Sequence, residues 1–189
     1  MPNLMKTIKQ TMVKKGIPKE KMEQLDFHEE STKPEEILAL IDRMDQLLSK
    51  EECLSIMQEQ GCCVTGKPAA AHRDFGRKHQ DKPLSERIKL LYELETPHNP
   101  PCRLNPDGTF SVYWSNFDRD GHYSCVCGYI KKRSQPCEVS PTFCGCCGGH
   151  ARKNFQKSLG VKLRLKEIVS SAASSGGKKS CEFLYEVEE

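Results

Sequence analysis

The sequence predicts an α+β fold in which an N-terminal helical layer packs on a C-terminal antiparallel sheet ordered β-β-α-β-β. Two observations carry this expectation. Apolar residues recur at helical spacing up to about residue 96, and at alternate positions after Asn105. Pro97, Pro100, Pro101 and Pro106 separate the two regimes. The segments 1–96 and 103–189 are therefore read as layers of one compact unit, since a chain of 189 residues suffices for one ordinary core.

In the first layer, helices are expected near Leu4 to Lys15, Lys19 to Phe27, Ala69 to His79 and Leu84 to Leu94. Thr32-Lys-Pro-Glu35 and Ser49-Lys-Glu-Glu52 both have the form of a capping box. The first opens a helix carrying Ile37, Leu38, Ile41, Met44 and Leu48 on one face; the second opens a helix that Gly61 closes in a left-handed conformation.

In the second layer, Asn105-Pro-Asp-Gly108 is a turn leading into a strand from Thr109 to Ser115. A second strand is read from His122 to Lys131, a helix from Cys146 to Leu159, and strands from Val161 to Val169 and Cys181 to Val187. Along the last strand Cys181, Phe183, Tyr185 and Val187 face one way and Glu182, Glu186 and Glu188 the other, so one face is covered, with the N-terminal helices as the expected cover. The Ser-rich stretch from Ser170 to Lys179 reads as a connecting loop.

Seven of the eleven cysteines fall between Cys125 and Cys181. Residues Met1 to Gln10 hold no apolar stretch long enough for a signal peptide, and no run of about 18 apolar residues is present to span a membrane. A cytoplasmic setting is thus expected, in which clustered cysteines serve metal binding or redox chemistry rather than disulfides. Cys125-Val-Cys127 places two sulfurs on one face if extended, and Cys144-Gly-Cys146 can do the same ahead of a helix. Four such thiolates match tetrahedral zinc, with His150 as a substitute nitrogen donor; iron–sulfur chemistry is the weaker match. Cys147, Ala151, Phe155 and Leu159 form one apolar stripe, which makes Cys147 a core residue on this reading. Cys62 and Cys63 either complete the site or pack at a helix end, while Cys53, Cys102 and Cys137 read as core.

The segment from Gly121 to Ser180 holds 11 Lys/Arg against 2 Asp/Glu, in a chain of net charge +3. Such an excess either meets the acidic remainder of the fold or attracts an anionic partner such as nucleic acid, and the first is the simpler expectation.

Cys144-Gly-Cys-Cys-Gly-Gly-His150, the helix ending at Leu159-Gly160, and Gly176-Gly-Lys-Lys-Ser-Cys181-Glu-Phe183 resemble the end of 4-vinyl-reductase-type hydrocarbon-binding domains. The same roughly 65 residues are similar to 2-amino-thiazoline-carboxylate hydrolase-like proteins of anaerobic bacteria. That resemblance implies a small-molecule pocket between sheet and helices and, in some members, a cysteine-bound metal. Trp114, Phe183 and Tyr185 are the expected pocket lining. The leading expectation is a zinc–thiolate protein that binds a small organic molecule as sensor, carrier or accessory. The alternatives are a metal-dependent hydrolase of a small amide or thiazoline ring with His150 or His122 as base, a nucleic-acid-binding protein, and a redox protein using Cys146/Cys147.

Overall fold

The computed structural model describes residues 3–61, 66–94, 100–131 and 138–188. The helices are α1 (Leu4–Lys14), α2 (Lys19–Glu23), α3 (Pro34–Leu47), α4 (Lys50–Met57), α5 (Gly66–Lys78), α6 (Leu84–Glu93), α7 (Gly128–Lys131) and α8 (Gly145–Leu159). The strands are β1 (Cys102–Leu104), β2 (Phe110–Trp114), β3 (Lys162–Ser170) and β4 (Cys181–Glu188). All pairings are antiparallel, in the order β1-β2-β4-β3. The α+β architecture expected from the sequence is the one observed.

Local chemistry explains most boundaries. The capping box at α4 is complete: the Glu52 N–H donates to Ser49 Oγ at 3.1 Å, and the Ser49 N–H to Glu52 Oε2 at 2.7 Å. The box expected at Thr32 does not form. Pro34, whose fixed φ suits the first helical position, moves the cap to Lys33, which makes no side-chain cap bond. The helix expected to reach Phe27 stops at Glu23, and Asp26 then takes a left-handed φ of 47°. Gly61 closes α4 differently from expectation. After a 3₁₀ turn over Gln58–Gln60 it has φ −48°, and its use is close approach, because a Cβ there would lie 2.7 Å from backbone atoms of Gly149 and His150.

The strand expected from His122 to Lys131 is absent. One bridge joins Phe117 to Tyr123, and α7 occupies the end of the segment. The Cys127 sulfur lies near the backbone N–H groups of Tyr129 and Ile130 in the first turn of α7, a placement that suits a helix start rather than strand pairing. The short strand β1, hidden in sequence by Pro100 and Pro101, pairs with β2 across the Asn105–Gly108 turn.

The central cover of the sheet is α8, with N-terminal helices at its margins. Tyr185 Oη donates to the Gly148 carbonyl at 2.8 Å, and Phe155 meets Phe110 edge-on at 5.3 Å. Helix α4 lies beside β3, α6 beside β1, and α5 against α8. At Gly76 of α5 a Cβ would sit 2.0 Å from the Lys157 carbonyl oxygen, so the two backbones touch with no side chain between them. One continuous set of buried side chains runs from Leu4 and Met44 to Phe183 and Tyr185.

Candidate thiolate centre

Three segments far apart in sequence meet beside the start of α8. The first carries Cys125 and Cys127. A turn precedes it, in which Asp118 Oδ1 accepts the N–H groups of Asp120 and His122, both at 2.9 Å. The Ser124 N–H donates to Asn116 O at 2.7 Å, and the Tyr123 N–H to Gly177 O at 3.1 Å. The second segment carries Cys144, Cys146 and Cys147. Asp45 of α3 latches it, accepting the hydroxyls of Thr142 at 2.6 Å and of Ser140. The third is the β3–β4 connection with Cys181 at the start of β4, opposite Trp114 of β2.

Cys147 stands near enough to Cys125, Cys127, Cys144, Cys146 and Cys181 for charge on one of these thiols to act on the other. Backbone donors bond to two of these sulfurs and lie near a third. The Cys127 N–H donates to Cys125 Sγ at 3.4 Å and the Ala172 N–H to Cys181 Sγ at 3.4 Å, while the Tyr129 and Ile130 N–H groups lie near Cys127 Sγ. Such bonds favour the thiolate. Cys127 is held below the ordinary thiol range, first by its bond from Cys125 and then by these N–H groups, against the opposing effect of burial. Cys125 is correspondingly pushed up, by the same bond and by burial. Burial raises Cys144 and Cys181, opposed by bonds from Ser171 and Ala172; Cys147 is raised by its bond to Cys146 and by burial. Four thiolates on one tetrahedral zinc stand about 3.8 Å apart. Among the described residues no three of these sulfurs lie within 4.8 Å of one another. Bringing them to that spacing requires side-chain movement, and a cysteine χ1 step from one staggered well to another displaces a sulfur by about 3 Å.

Of the residues singled out from sequence, Cys125, Cys127 and Cys144 are in this group and Cys146 borders it. His150 stands one turn further along α8, with Nε2 3.1 Å from Asn154 Nδ2 and its ring edge-on to Trp114 at 5.8 Å. Cys147 and Cys181 belong to the group as well. The apolar stripe is real, since Ala151, Phe155 and Leu159 are buried, and Cys147 at its start packs, partly buried, against the same core. In the sequence Cys181 stood out as an inward strand residue and as part of the Cys181-Glu-Phe183 resemblance, not as a metal ligand. Cys53 and Cys102 are isolated core thiols, each pushed up to about 12, with burial as the leading cause. Cys62, Cys63 and Cys137 lie outside the described residues.

The aromatic side chains divide. Phe183 and Tyr185 are wholly buried against α8, while Trp114 is half-buried, edge-on to Phe183 at 5.4 Å. Several basic residues of the second layer meet acidic ones of the same chain. Arg152 pairs with Glu59 at 2.8 Å, Arg164 with Glu186 and with Glu188 at 3.4 Å, and Lys178 with Glu138 at 3.5 Å. Asp118, Asp120 and His122 present ligand atoms within 4.8 Å of one another, but all three are exposed, and the hydrogen bonds of their own turn account for the grouping. No helix among the described residues is long and apolar enough to cross a membrane.

No family model and no curated protein matches the chain. Among solved structures it is similar to an H-NOX protein from S. oneidensis in the Fe(II)NO ligation state, with 10% identity, full coverage of both chains and a TM-score of 0.37. A likeness at that level carries neither fold nor function across.

Proposed function

We propose that the chain is a metal–thiolate protein in which Cys127, Cys144, Cys147 and Cys181 hold one zinc ion, with Cys125 as a neighbouring fifth thiol. The observation that supports this reading is the convergence of sulfurs from three separate segments around Cys147, several of them supplied with backbone N–H donors. A hydrophobic core does not need that arrangement, whereas metal-bound thiolates do. Elemental analysis of purified, tag-free protein tests it. About one zinc per chain is expected, lost together with thermal stability in Cys127→Ser and Cys181→Ser and retained in Cys102→Ala. A metal-free wild type would refute the reading, and iron with labile sulfide would replace zinc by a cluster.

More sulfurs than a closed tetrahedron needs favour a binding role over hydrolysis, which requires an open position for water. We therefore read the centre as the anchor of a sensor, carrier or accessory protein for a small organic molecule. That ligand would lie at the edge formed by Trp114 and His150, in keeping with the resemblance to hydrocarbon-binding and thiazoline-carboxylate hydrolase-like domains. Apolar acids and thiazoline-like compounds should raise the Tm of the wild type but not of Trp114→Ala; no stabilising compound would leave a structural role for the metal. One observation favours a second reading, reactive thiols. Cys125 Sγ accepts the Cys127 N–H at 3.4 Å, and the adjacent Cys127 thiol is held below its ordinary range by Cys125. Fast alkylation of Cys127 in metal-loaded protein would support it, and protection by metal would argue against it.

A further inference from the structure

The serine-rich β3–β4 connection, unremarkable in sequence, is buried where it meets the cysteines. Ser171 has no exposed surface, and Ala172 and Ala173 are nearly as enclosed. Ser171 Oγ lies 3.1 Å from Cys144 Sγ, accepts the Ser174 N–H at 2.9 Å, and is 2.7 Å from Ser174 Oγ. The next residue, Ala172, donates its N–H to Cys181 Sγ. Adjacent residues of one turn thus serve two sulfurs. The turn is itself fixed: the Gly177 N–H donates to Ala172 O at 2.8 Å, Val139 to Ala173 O at 3.3 Å, and Tyr123 to Gly177 O at 3.1 Å. It is tied in this way to both the Cys125–Cys127 segment and the entry to α8.

We infer that Ser171 is a positioning residue of the thiolate centre, its hydroxyl donating to Cys144 Sγ and holding that sulfur toward Cys147 and Cys181. The inference rests on the metal–thiolate reading above. A serine hydroxyl has one hydrogen and two acceptor lone pairs. The Ser174 N–H uses one lone pair, leaving the hydrogen and one lone pair for Cys144 Sγ and Ser174 Oγ. A metal-bound thiolate carries no hydrogen and can only accept. The Ser171 hydrogen then goes to sulfur, and Ser174 turns its own hydrogen onto the remaining Ser171 lone pair. The Ser171 carbonyl gives up the 3.4 Å bond from Ser174 Oγ but still accepts the Ser175 N–H at 3.1 Å, so every group in the buried network keeps a partner when Cys144 is a thiolate.

The test uses the full chain, stripped of metal and titrated with Zn²⁺ against a chromophoric chelator, and with Co²⁺ to follow the thiolate-to-metal charge-transfer band. Ser171→Ala should weaken Zn²⁺ binding about 10- to 100-fold, the usual effect of removing an outer-shell partner, and should shift the cobalt band while stoichiometry is unchanged. Ser174→Ala, which disturbs the same turn but leaves the Ser171 hydroxyl, should bind within about threefold of wild type. Ser171→Thr keeps the hydroxyl and should do the same, which covers the case of Ser171→Ala failing to fold. Unchanged affinity and spectrum in Ser171→Ala, equal loss in Ser174→Ala, or equal loss in Ser171→Thr would overturn the positioning role while leaving the metal reading intact. A wild type that binds neither metal would overturn both.

Discussion

Replacing Gly149 by alanine should destabilise the chain strongly, although the substitution favours helix in the abstract. A Cβ at this position would lie 2.1 Å from the carbonyl oxygen of Gln58, 2.6 Å from its carbonyl carbon and 2.9 Å from its Cα. These are backbone atoms that no rotamer change can move, and carbon contacts need about 3.5 Å, so α8 and the 3₁₀ turn must separate by about 1 Å or more. Overpacking of this kind costs up to about 3 kcal/mol, and helix propensity returns about 1. Gln58 carries a second interaction, because its Oε1 accepts the Leu165 N–H at 3.0 Å in a buried position. Displacing Gln58 puts that bond at risk for about 1 kcal/mol more. The net loss is about 3 kcal/mol, or about 6–12 °C in Tm for a chain of this length. Urea unfolding followed by far-UV circular dichroism measures it. Gly148→Ala is the comparison, since its Cβ meets the ends of the Leu165 and Phe183 side chains at 2.9–3.2 Å, which can shift; about 1 kcal/mol is expected there. A Gly149→Ala protein as stable as wild type, or less affected than Gly148→Ala, would refute the reasoning.

Three further outcomes are expected. Cys53 and Cys102 have folded-state pKa values raised from 9.0 to about 12, so the stability they contribute is complete below about pH 9 and is lost as pH rises from 9 toward 12; the double alanine variant should show a shallower alkaline loss in unfolding measured across that window. Tyr185→Phe removes the buried bond to the Gly148 carbonyl and should cost about 1–2 kcal/mol in urea unfolding. It should also remove a source of alkaline instability, because burial raises the Tyr185 phenol and its stabilisation fades above about pH 10. Asp45→Ala frees Thr142 and Ser140 at the entry to α8 and should cost about 1–3 kcal/mol, with faster amide hydrogen exchange at the start of that helix.

Period and punctuation made much of this fold legible. The spacing of Ile37, Ile41 and Met44, the Ser49 box, the stripe from Ala151 to Leu159 and the alternation in β4 all act between residues close in the chain, and local rules describe them well. What escaped the sequence depended on partners distant in the chain or on sulfur. Helix α7 stands where the end of a strand was expected, and no period signals that. Gly61 and Gly149 are glycines because two backbones meet, not because of their own torsions. Within the candidate site, Cys125, Cys127 and Cys144 stood out by clustering. Cys147 was read as the first residue of a core stripe and packs, partly buried, against that core, while Cys181 and Ser171 join the group only through the return of β3 and β4.

The strand order has a consequence for how the chain matures during synthesis. β4, last in chain order among the elements, is not an edge strand; it pairs with β2 on one side and β3 on the other. While residues 181–188 are still inside the ribosome, the β1–β2 hairpin and β3 have no common partner and α8 has only part of a sheet to lie on. The nascent chain must therefore carry its apolar stripe only partly covered until β4 emerges, then close the sheet by long-range pairing, a slow and aggregation-exposed way to fold. Stalling translation just before residue 181 should leave the helical layer protease-resistant at most in part, with the segment from Gly145 onward open to cleavage.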